Sequence, residues 1–221
     1  MPSKILCLSG MDGTGKTTQA QELVRQCRAA GYRAGYLWAR WEPFFLRPII
    51  ERYFKKKNIS GRAGTDFKQA SQAKAKMLQR VWVRRAWRWF SILDYWLTKR
   101  PRIFWAARKW DILILDRYVY DFAIDQALNS GISPAEMAAD LEKRIFKFFP
   151  RPDRTLVLLL SAEEGSRRKQ DGTGVGYLQA RNAYYQALVH CPGAIGVDAS
   201  GTIPEVQSAI WQQIQPWLRE A

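Results

Sequence analysis

The chain has 221 residues, of which 35 are Lys or Arg and 20 are Asp or Glu, so its net charge is +15. This length suits one α/β domain, and no segment approaches the roughly 18 consecutive apolar residues that a membrane-spanning helix needs. The single histidine excludes a multi-histidine metal site and the three cysteines lack disulfide or metal spacing, as expected of a reduced, cytoplasmic enzyme without a structural metal.

Apolar segments alternate with helix-forming segments along the chain. Short apolar runs predict five strands, at residues 5–9, 34–38, 112–115, 155–160 and 194–197. Helical patterns predict helices at 17–30, 48–57 and 203–218, a long helical region at 66–99 that stops before Pro101, and a helix opened by Ser133 and Pro134. This alternation predicts one domain over residues 1–221, a three-layer α/β fold in which helices flank a five-stranded parallel sheet.

The segment between the first predicted strand and the first predicted helix fits the phosphate-loop pattern G-x-x-x-x-G-K-[ST]. Its glycines let successive backbone N–H groups turn inward around a phosphate chain, and the following helix adds the positive end of its dipole. Lys16 would reach the β- and γ-phosphates, and the Thr17 hydroxyl would hold Mg²⁺. The pattern predicts a P-loop NTPase fold whose nucleotide-binding residues are Gly10, Asp12, Gly13, Thr14, Gly15, Lys16, Thr17 and Thr18.

A second landmark is the apolar strand that ends at Asp116. In a phosphate-loop enzyme a carboxylate at this position helps to hold Mg²⁺, usually through water, and Arg117 would leave the sheet beside the phosphates. The chain lacks the Asn-Lys-x-Asp signature of guanine recognition, which disfavours a GTPase. We therefore expect ATP and Mg²⁺ as cofactors, with Thr17 and Asp116 at the metal.

With these motifs the chain resembles the thymidylate kinase family over nearly its full length. Residues 9–19 are similar to that family's phosphate loop, residues 116–118 to its D-R-[YFH] motif, and residues 152–155 and 197–200 to its later strands. The resemblance implies ATP-dependent transfer of the γ-phosphoryl group to a nucleoside monophosphate such as dTMP.

The same resemblance implies roles for individual residues. Asp12 would touch the acceptor sugar, and Arg117 would pair with the acceptor phosphate. Arg167 and Arg168 would lie at a mobile lid over about residues 167–176 and bring positive charge to the transferring group. The implied catalytic residues are Lys16, Arg117, Arg167 and Arg168, and the implied contacts near the adenine are Ala199 and Ser200.

The acceptor side departs from the family pattern. Trp41 falls where the family carries an arginine on the acceptor phosphate, and Tyr95 falls where a second such arginine stands. Tyrosine donates one hydrogen bond but cannot form a bidentate charged clamp. We therefore expect weak activity on dTMP unless Arg40, Arg84 or Arg88 binds the phosphate instead. The candidate acceptor residues are Asp12, Arg40, Arg88, Ser91, Tyr95, Arg117 and Tyr118.

Residues 68–109 contain twelve Lys or Arg and a single acid, Asp94, which gives this segment a local net charge of +11. An apolar stripe with helical spacing runs beside the cations and consists of Trp82, Ala86, Trp89, Leu93 and Trp96. Three arrangements suit it: packing on the sheet or on a second subunit in a homodimer, arginines that replace the acceptor clamps, and contact with an anionic membrane or nucleic acid. We expect a nucleotide substrate and no obligatory nucleic-acid partner.

Two functions are compatible with these patterns. The leading interpretation is a thymidylate-kinase-like phosphotransferase whose acceptor is a nucleoside monophosphate or, given the altered clamps, a non-nucleotide or carrier-linked molecule. The alternative is a P-loop NTPase that uses ATP binding to regulate contact with a polyanion or membrane through its basic helix. Asp116 and Arg117 favour the kinase, and the basic segment keeps the alternative open.

Overall fold

The computed structural model describes residues 3–56, 78, 80–168 and 174–220, without the side chains of residues 53 and 54. Its strands are β1 (Lys4–Gly10), β2 (Ala34–Trp38), β3 (Ile112–Asp116), β4 (Arg154–Leu159) and β5 (Ala194–Asp198). Its helices are α1 (Lys16–Ala29), α2 (Arg47–Lys56), α3 (Val81–Lys109), α4 (Val119–Ser130), α5 (Pro134–Lys143), α6 (Ala162–Arg168), α7 (Val175–Leu188) and α8 (Ile203–Arg219), with a 3₁₀ helix at Ile145–Lys147.

The five strands form one parallel sheet in the order β2-β3-β1-β4-β5. Cys7 of β1 lies opposite Leu115 of β3 on one side and Thr155 of β4 on the other. The strands of this sheet read as apolar runs because helices cover both of its faces. The predicted three-layer α/β fold with a five-stranded parallel sheet is confirmed.

The two faces of the sheet carry different helices. On one face α1 and α8 bury Leu23 and Ile210 against the sheet. On the other face α3, α4 and α7 bury Tyr95, Phe122 and Leu188 in a second cluster. The chain leaves β1 toward the first face, whereas it leaves the neighbouring strands β3 and β4 toward the second. A crevice therefore opens at the carboxyl end of β1, where parallel α/β sheets bind their ligands.

The long helix α3 differs from its predicted extent. It continues through Pro101 to Lys109, whereas the sequence predicted an end before that proline. Proline in a helix interior costs about 3 kcal/mol relative to alanine, but the helix beyond it buries Ile103 in the core. Residues 57, 66–77 and 79 of the predicted helices and residues 169–173 of the predicted lid lie outside the described residues.

The start of α5 follows the predicted capping pattern. The Ser133 hydroxyl accepts a hydrogen bond from the Glu136 backbone N–H at 3.3 Å, and the Ser133 N–H donates to the Glu136 carboxylate at 3.0 Å. Pro134 occupies the first helical turn, where its missing N–H costs nothing. Within the ranges given above, none of the helices combines the length and apolar character needed to cross a bilayer.

Candidate active site

The phosphate loop joins β1 to α1 at the carboxyl edge of the sheet, and its glycines, Gly13 and Gly15 among them, have positive φ angles. Gly13 has a φ of +91°, and a Cβ placed there would lie 2.5 Å from the backbone oxygen of Gly165 in α6. Gly15, which caps α1, has a φ of +77°. A side chain at Gly13 would clash as well as strain the backbone, so glycine is required where the loop packs on α6.

Lys16 lies under the loop and is only 4% exposed. Its Nζ donates to the Met11 carbonyl at 2.6 Å and to the Thr14 hydroxyl at 3.4 Å. Burial, followed by the positive charge of Arg117, lowers the pKa of Lys16 to about 8. An anion in the loop would exchange these neutral acceptors for charged ones and stabilise the ammonium form.

Asp116 ends β3 directly beside Thr17, which opens α1. The Thr17 hydroxyl donates to Asp116 Oδ2 at 2.6 Å, and the Tyr36 hydroxyl donates to the same oxygen at 2.8 Å. Burial and the hydrogen bond to Asp116 raise the pKa of Tyr36. The carboxylate is fully buried, and its Oδ1 has no hydrogen-bond partner among the described residues. An unpaired buried carboxylate oxygen beside a hydroxyl suits a hydrated hard cation.

The remaining groups that coordinate a metal ion here would come from a bound nucleotide and from water. The described part of the chain contains no group of three or more His, Cys, Asp or Glu side chains that could hold a metal ion. Mg²⁺ commonly keeps several waters and binds through one or two protein groups plus substrate phosphates. The donors at Thr17 and Asp116 therefore fit magnesium that arrives with a nucleotide.

Arg117 connects the phosphate loop to α4. Its guanidinium donates to Asp12 Oδ1 at 2.5 Å and to Asp121 Oδ1 at 2.9 Å. Asp121 also accepts hydrogen bonds from the Ser9 hydroxyl and the Tyr185 hydroxyl, each at 3.0 Å. Burial opposes the charged form of Arg117, but the carboxylates of Asp121 and Asp12 outweigh burial and raise its pKa. The arginine is only 15% exposed, so it is a positioned cation beside the loop.

Sequence reasoning did not identify a second cation near this network. Arg181 of α7 forms an ion pair with Asp125 of α4, and its guanidinium lies 3.9 Å from the centre of the Tyr177 ring. Burial raises the pKa of Tyr177, and the charges of Arg181, Asp125, Asp12 and Arg40 also act on it, so each of these groups lies within electrostatic range of Tyr177. The partners Asp125 and Arg181 are separated by 56 residues, and no local motif joins them.

Three of the predicted acceptor residues lie in the core. Tyr95 and Tyr118 are fully buried, and their hydroxyls donate to the carbonyls of Ala39 and Pro150 at 2.7 and 3.0 Å. Ser91 is also fully buried, and its hydroxyl has no hydrogen-bond partner among the described residues. The sequence predicted that Tyr95 lies on the long helix, at the position where the family carries an arginine. It could not indicate that the Tyr95 side chain is buried. Both tyrosines contribute packing behind the crevice.

The predicted substitute clamps are only partly available. Arg88 forms an ion pair with Asp140 of α5, so its guanidinium already has a carboxylate partner. Trp41 packs edge-on against Trp87 and Phe122, with ring centres 6.2 and 5.4 Å apart. Arg40 is half-buried and lies within electrostatic range of Tyr177. Of the arginines considered for the acceptor, Arg40 is therefore better placed than Arg88.

The two lid arginines have separate surroundings. Arg168 donates to the carbonyls of Ala199 and Ser200 at 2.7 and 2.6 Å and pairs with Glu164 at 2.7 Å. Arg167 is 78% exposed and pairs with Glu164 at 2.6 Å. Arg168 therefore ties α6 to the loop before α8, the predicted adenine side, whereas Arg167 lies largely exposed on α6 beside Glu164.

The structure brings the predicted site residues of the phosphate loop together with Asp116 and Arg117 at the carboxyl ends of β1 and β3. Thr17 and Thr18 are exposed at the start of α1. A scan against protein-family models finds no match for the chain, and a search of the curated proteins finds no significant match. Function is therefore inferred from the side chains of the site.

Proposed function

We propose that the protein is an ATP- and Mg²⁺-dependent phosphotransferase, similar to thymidylate kinases, that acts on a nucleoside monophosphate. One observation carries this proposal: Lys16, the Thr17–Asp116 pair and Arg117 converge on the phosphate loop at the topological switch point of the sheet. Phosphoryl transfer depends mostly on positioning and on charge neutralisation around the γ-phosphate. The convergence of these residues supplies both the positioning and the charge neutralisation.

Each of these residues has a defined contribution. Backbone N–H groups of the loop and the amino end of α1 would hold the β-phosphate, and Lys16 would neutralise charge between the β- and γ-phosphates. Thr17 and Asp116 fit Mg²⁺, which when bound supplies further neutralisation of the phosphate oxygens. Tyr36 holds Asp116 in place through its hydrogen bond.

The acceptor side rests on Arg117. A guanidinium can bind a phosphate through two parallel hydrogen bonds. Arg117 is held between Asp12 and Asp121, so an acceptor phosphate would take over part of that pairing while Asp12 turns to the sugar. Arg181 provides a second guanidinium in the same region, which would compensate in part for the arginines missing at Trp41 and Tyr95.

The experiment compares wild-type protein with Lys16→Ala in a coupled assay of ADP release, using Mg-ATP and a panel of nucleoside monophosphates. We expect the variant to lose measurable phosphotransfer, because the charge on the β- and γ-phosphates is lost. Lys143→Ala, which removes an exposed lysine at the end of α5, is the matched control and should keep wild-type turnover. Wild-type turnover in Lys16→Ala would refute the assignment.

The alternative function remains worth testing because α3 exposes large apolar side chains together with exposed arginines. In that case ATP hydrolysis would proceed without an acceptor and would respond to vesicles or a polyanion. In the kinase, ADP release instead requires the acceptor. Assays with and without each additive separate the two functions.

A further inference from the structure

One face of α3 exposes six large apolar side chains to solvent. They are between 43% and 68% exposed and comprise Trp82, Trp89, Phe90, Leu93, Leu97 and Phe104. At about 100° of rotation per residue these positions fall within an arc of about 100°, and at 1.5 Å per residue they extend over roughly 33 Å. This surface, here called the α3 face, is an apolar stripe along the helix, with the exposed Arg100 in the same arc between Leu97 and Phe104.

The α3 face continues onto the segment before α2. Phe44 and Phe45 are each at least 58% exposed. The backbone N–H groups of both residues donate to the Asp94 carboxylate, at 2.9 and 3.4 Å, which fixes them beside α3. Contiguous exposed apolar patches larger than a few hundred Å² are rare on monomeric proteins and mark interaction surfaces.

Positive charge predominates around this apolar surface in the part of the chain that the structure describes, where Glu42 is an exposed acid near Phe44. In the described ranges, the exposed Arg85, Arg100 and Arg108, which lie in or beside this arc, form no ion pair with a carboxylate. Arg108 instead lies 3.3 Å from the centre of the Phe104 ring. The one acid of α3, Asp94, is buried beneath Phe44 and Phe45. The α3 face therefore presents a net positive charge to solvent.

The charge and the side-chain types of the α3 face together indicate which partner it binds. A second copy of the chain would bring two cationic faces together, and opposed like charges at an interface are unfavourable. Nucleic acid would pair with the arginines and stack on aromatic rings, but it offers little to the central leucines Leu93 and Leu97. An anionic bilayer provides acyl chains for Trp, Phe and Leu side chains and phosphate headgroups for the flanking arginines.

We propose that the α3 face, with Phe44 and Phe45, docks on the surface of an anionic phospholipid membrane. In this orientation α3 lies in the plane of the interface, its aromatic side chains enter the boundary between headgroups and acyl chains, and its arginines contact the headgroups. This proposal does not depend on the phosphotransferase activity.

The test is flotation of the nucleotide-free protein with vesicles. We expect binding to vesicles of phosphatidylcholine with about one-third phosphatidylglycerol, and at least tenfold weaker binding to phosphatidylcholine alone. Each Arg near an anionic surface strengthens binding roughly fivefold, so Arg100→Ser with Arg108→Ser should weaken it by about 25-fold. Raising the salt concentration should weaken it as well.

A variant that lacks two apolar side chains, with a matched control, distinguishes apolar contact with the bilayer from electrostatic attraction alone. Trp89→Ala with Phe90→Ala should weaken flotation by tenfold or more, whereas Phe148→Ala, an exposed phenylalanine outside the α3 face, should leave it unchanged. Circular dichroism of each variant establishes that it is folded. The proposal is overturned if the protein does not float with anionic vesicles, or if the arginine double variant and the aromatic double variant both float as the wild type does. It is also overturned if the protein binds single-stranded RNA more tightly than these vesicles. A dimer that dissociates when Trp89 and Phe90 are replaced would overturn it as well.

Discussion

Arg117 takes a backbone conformation that residues with side chains rarely adopt, with a φ of 66°. Such a conformation costs on the order of 1–3 kcal/mol and persists where surrounding contacts enforce it. Here the Arg117 N–H donates to the Leu8 carbonyl at 2.8 Å, and the guanidinium is held by Asp12 and Asp121. The motif could predict where Arg117 leaves the sheet. It could not predict Asp121 as a partner, because an Asp one turn into a helix is common in sequences of every kind.

Replacement of Arg117 tests the acceptor side directly. With Arg117→Ala we expect kcat/KM for the best acceptor to fall by about 10²- to 10⁴-fold, since each charged hydrogen bond contributes about 1.5–3 kcal/mol. The KM for ATP should change much less. Tyr185→Phe, which removes a hydrogen bond to Asp121 but keeps the arginine, is the control and should have a small effect. Steady-state kinetics in which Arg117→Ala stays within twofold of wild type would remove Arg117 from the mechanism.

Lys16 should make nucleotide binding depend on pH. Its pKa in the nucleotide-free protein is lowered to about 8, chiefly by burial. Phosphates favour the ammonium form, so ATP must bind together with a proton once the pH exceeds about 8. We therefore expect the Kd for ATP, measured by calorimetry, to be nearly constant below about pH 7 and to rise by up to tenfold per pH unit above about pH 8. Lys16→Arg, which stays charged, should bind ATP without this rise, and an equal rise in both proteins would assign the titration to another group.

Among the secondary-structure elements, α3 diverges most from its prediction. The strands could be predicted because each is a short apolar run, and the fold covers both faces of the sheet. Pro101 predicted an end to α3 because proline removes one helical hydrogen bond. Burial of Ile103 on the far side of that proline outweighs this local cost, and such a tertiary contact has no signal within the helix sequence.

The cost of Pro101 within α3 predicts that its replacement changes the stability of the protein. Pro101→Ala should raise the free energy of unfolding by about 1–2 kcal/mol, because the gain in helix propensity exceeds the entropy that the unfolded chain recovers. Pro134→Ala is the matched control: Pro134 occupies the first turn of α5, so its replacement should bring no stabilisation. Urea denaturation measures both variants. A Pro101→Ala protein less stable than wild type would show that the chain requires the proline within α3.

At the scale of the whole molecule, the donor side of the site could be predicted from sequence and much of the acceptor side could not. The phosphate loop and Asp116 belong to local patterns, and the parallel topology brings their strands together. Arg181 and Asp125 meet only because α4 and α7 pack on the same face of the sheet. The depth of Tyr95 likewise depends on how α3 lies on that face.

The molecule also separates its two candidate surfaces. The phosphate loop lies at the carboxyl edge of the sheet, whereas the α3 face points away from the core along the opposite side of its helix. A net charge of +15 favours anionic partners at both surfaces. The proposed membrane surface and the proposed nucleotide site can therefore be altered independently by mutation.

The most direct measurement follows the γ-phosphoryl group itself. Protein is incubated with Mg-ATP labelled in that group and with dTMP or another nucleoside monophosphate, and the labelled products are separated. We expect the label to appear in a nucleoside diphosphate, only when magnesium is present, and not with Lys16→Ala. Transfer to dTMP should be slow unless Arg181 compensates for the two arginines that the thymidylate kinase pattern carries where this chain has Trp41 and Tyr95. Label that appears only as inorganic phosphate, with every acceptor in the panel, would contradict the proposed phosphotransferase.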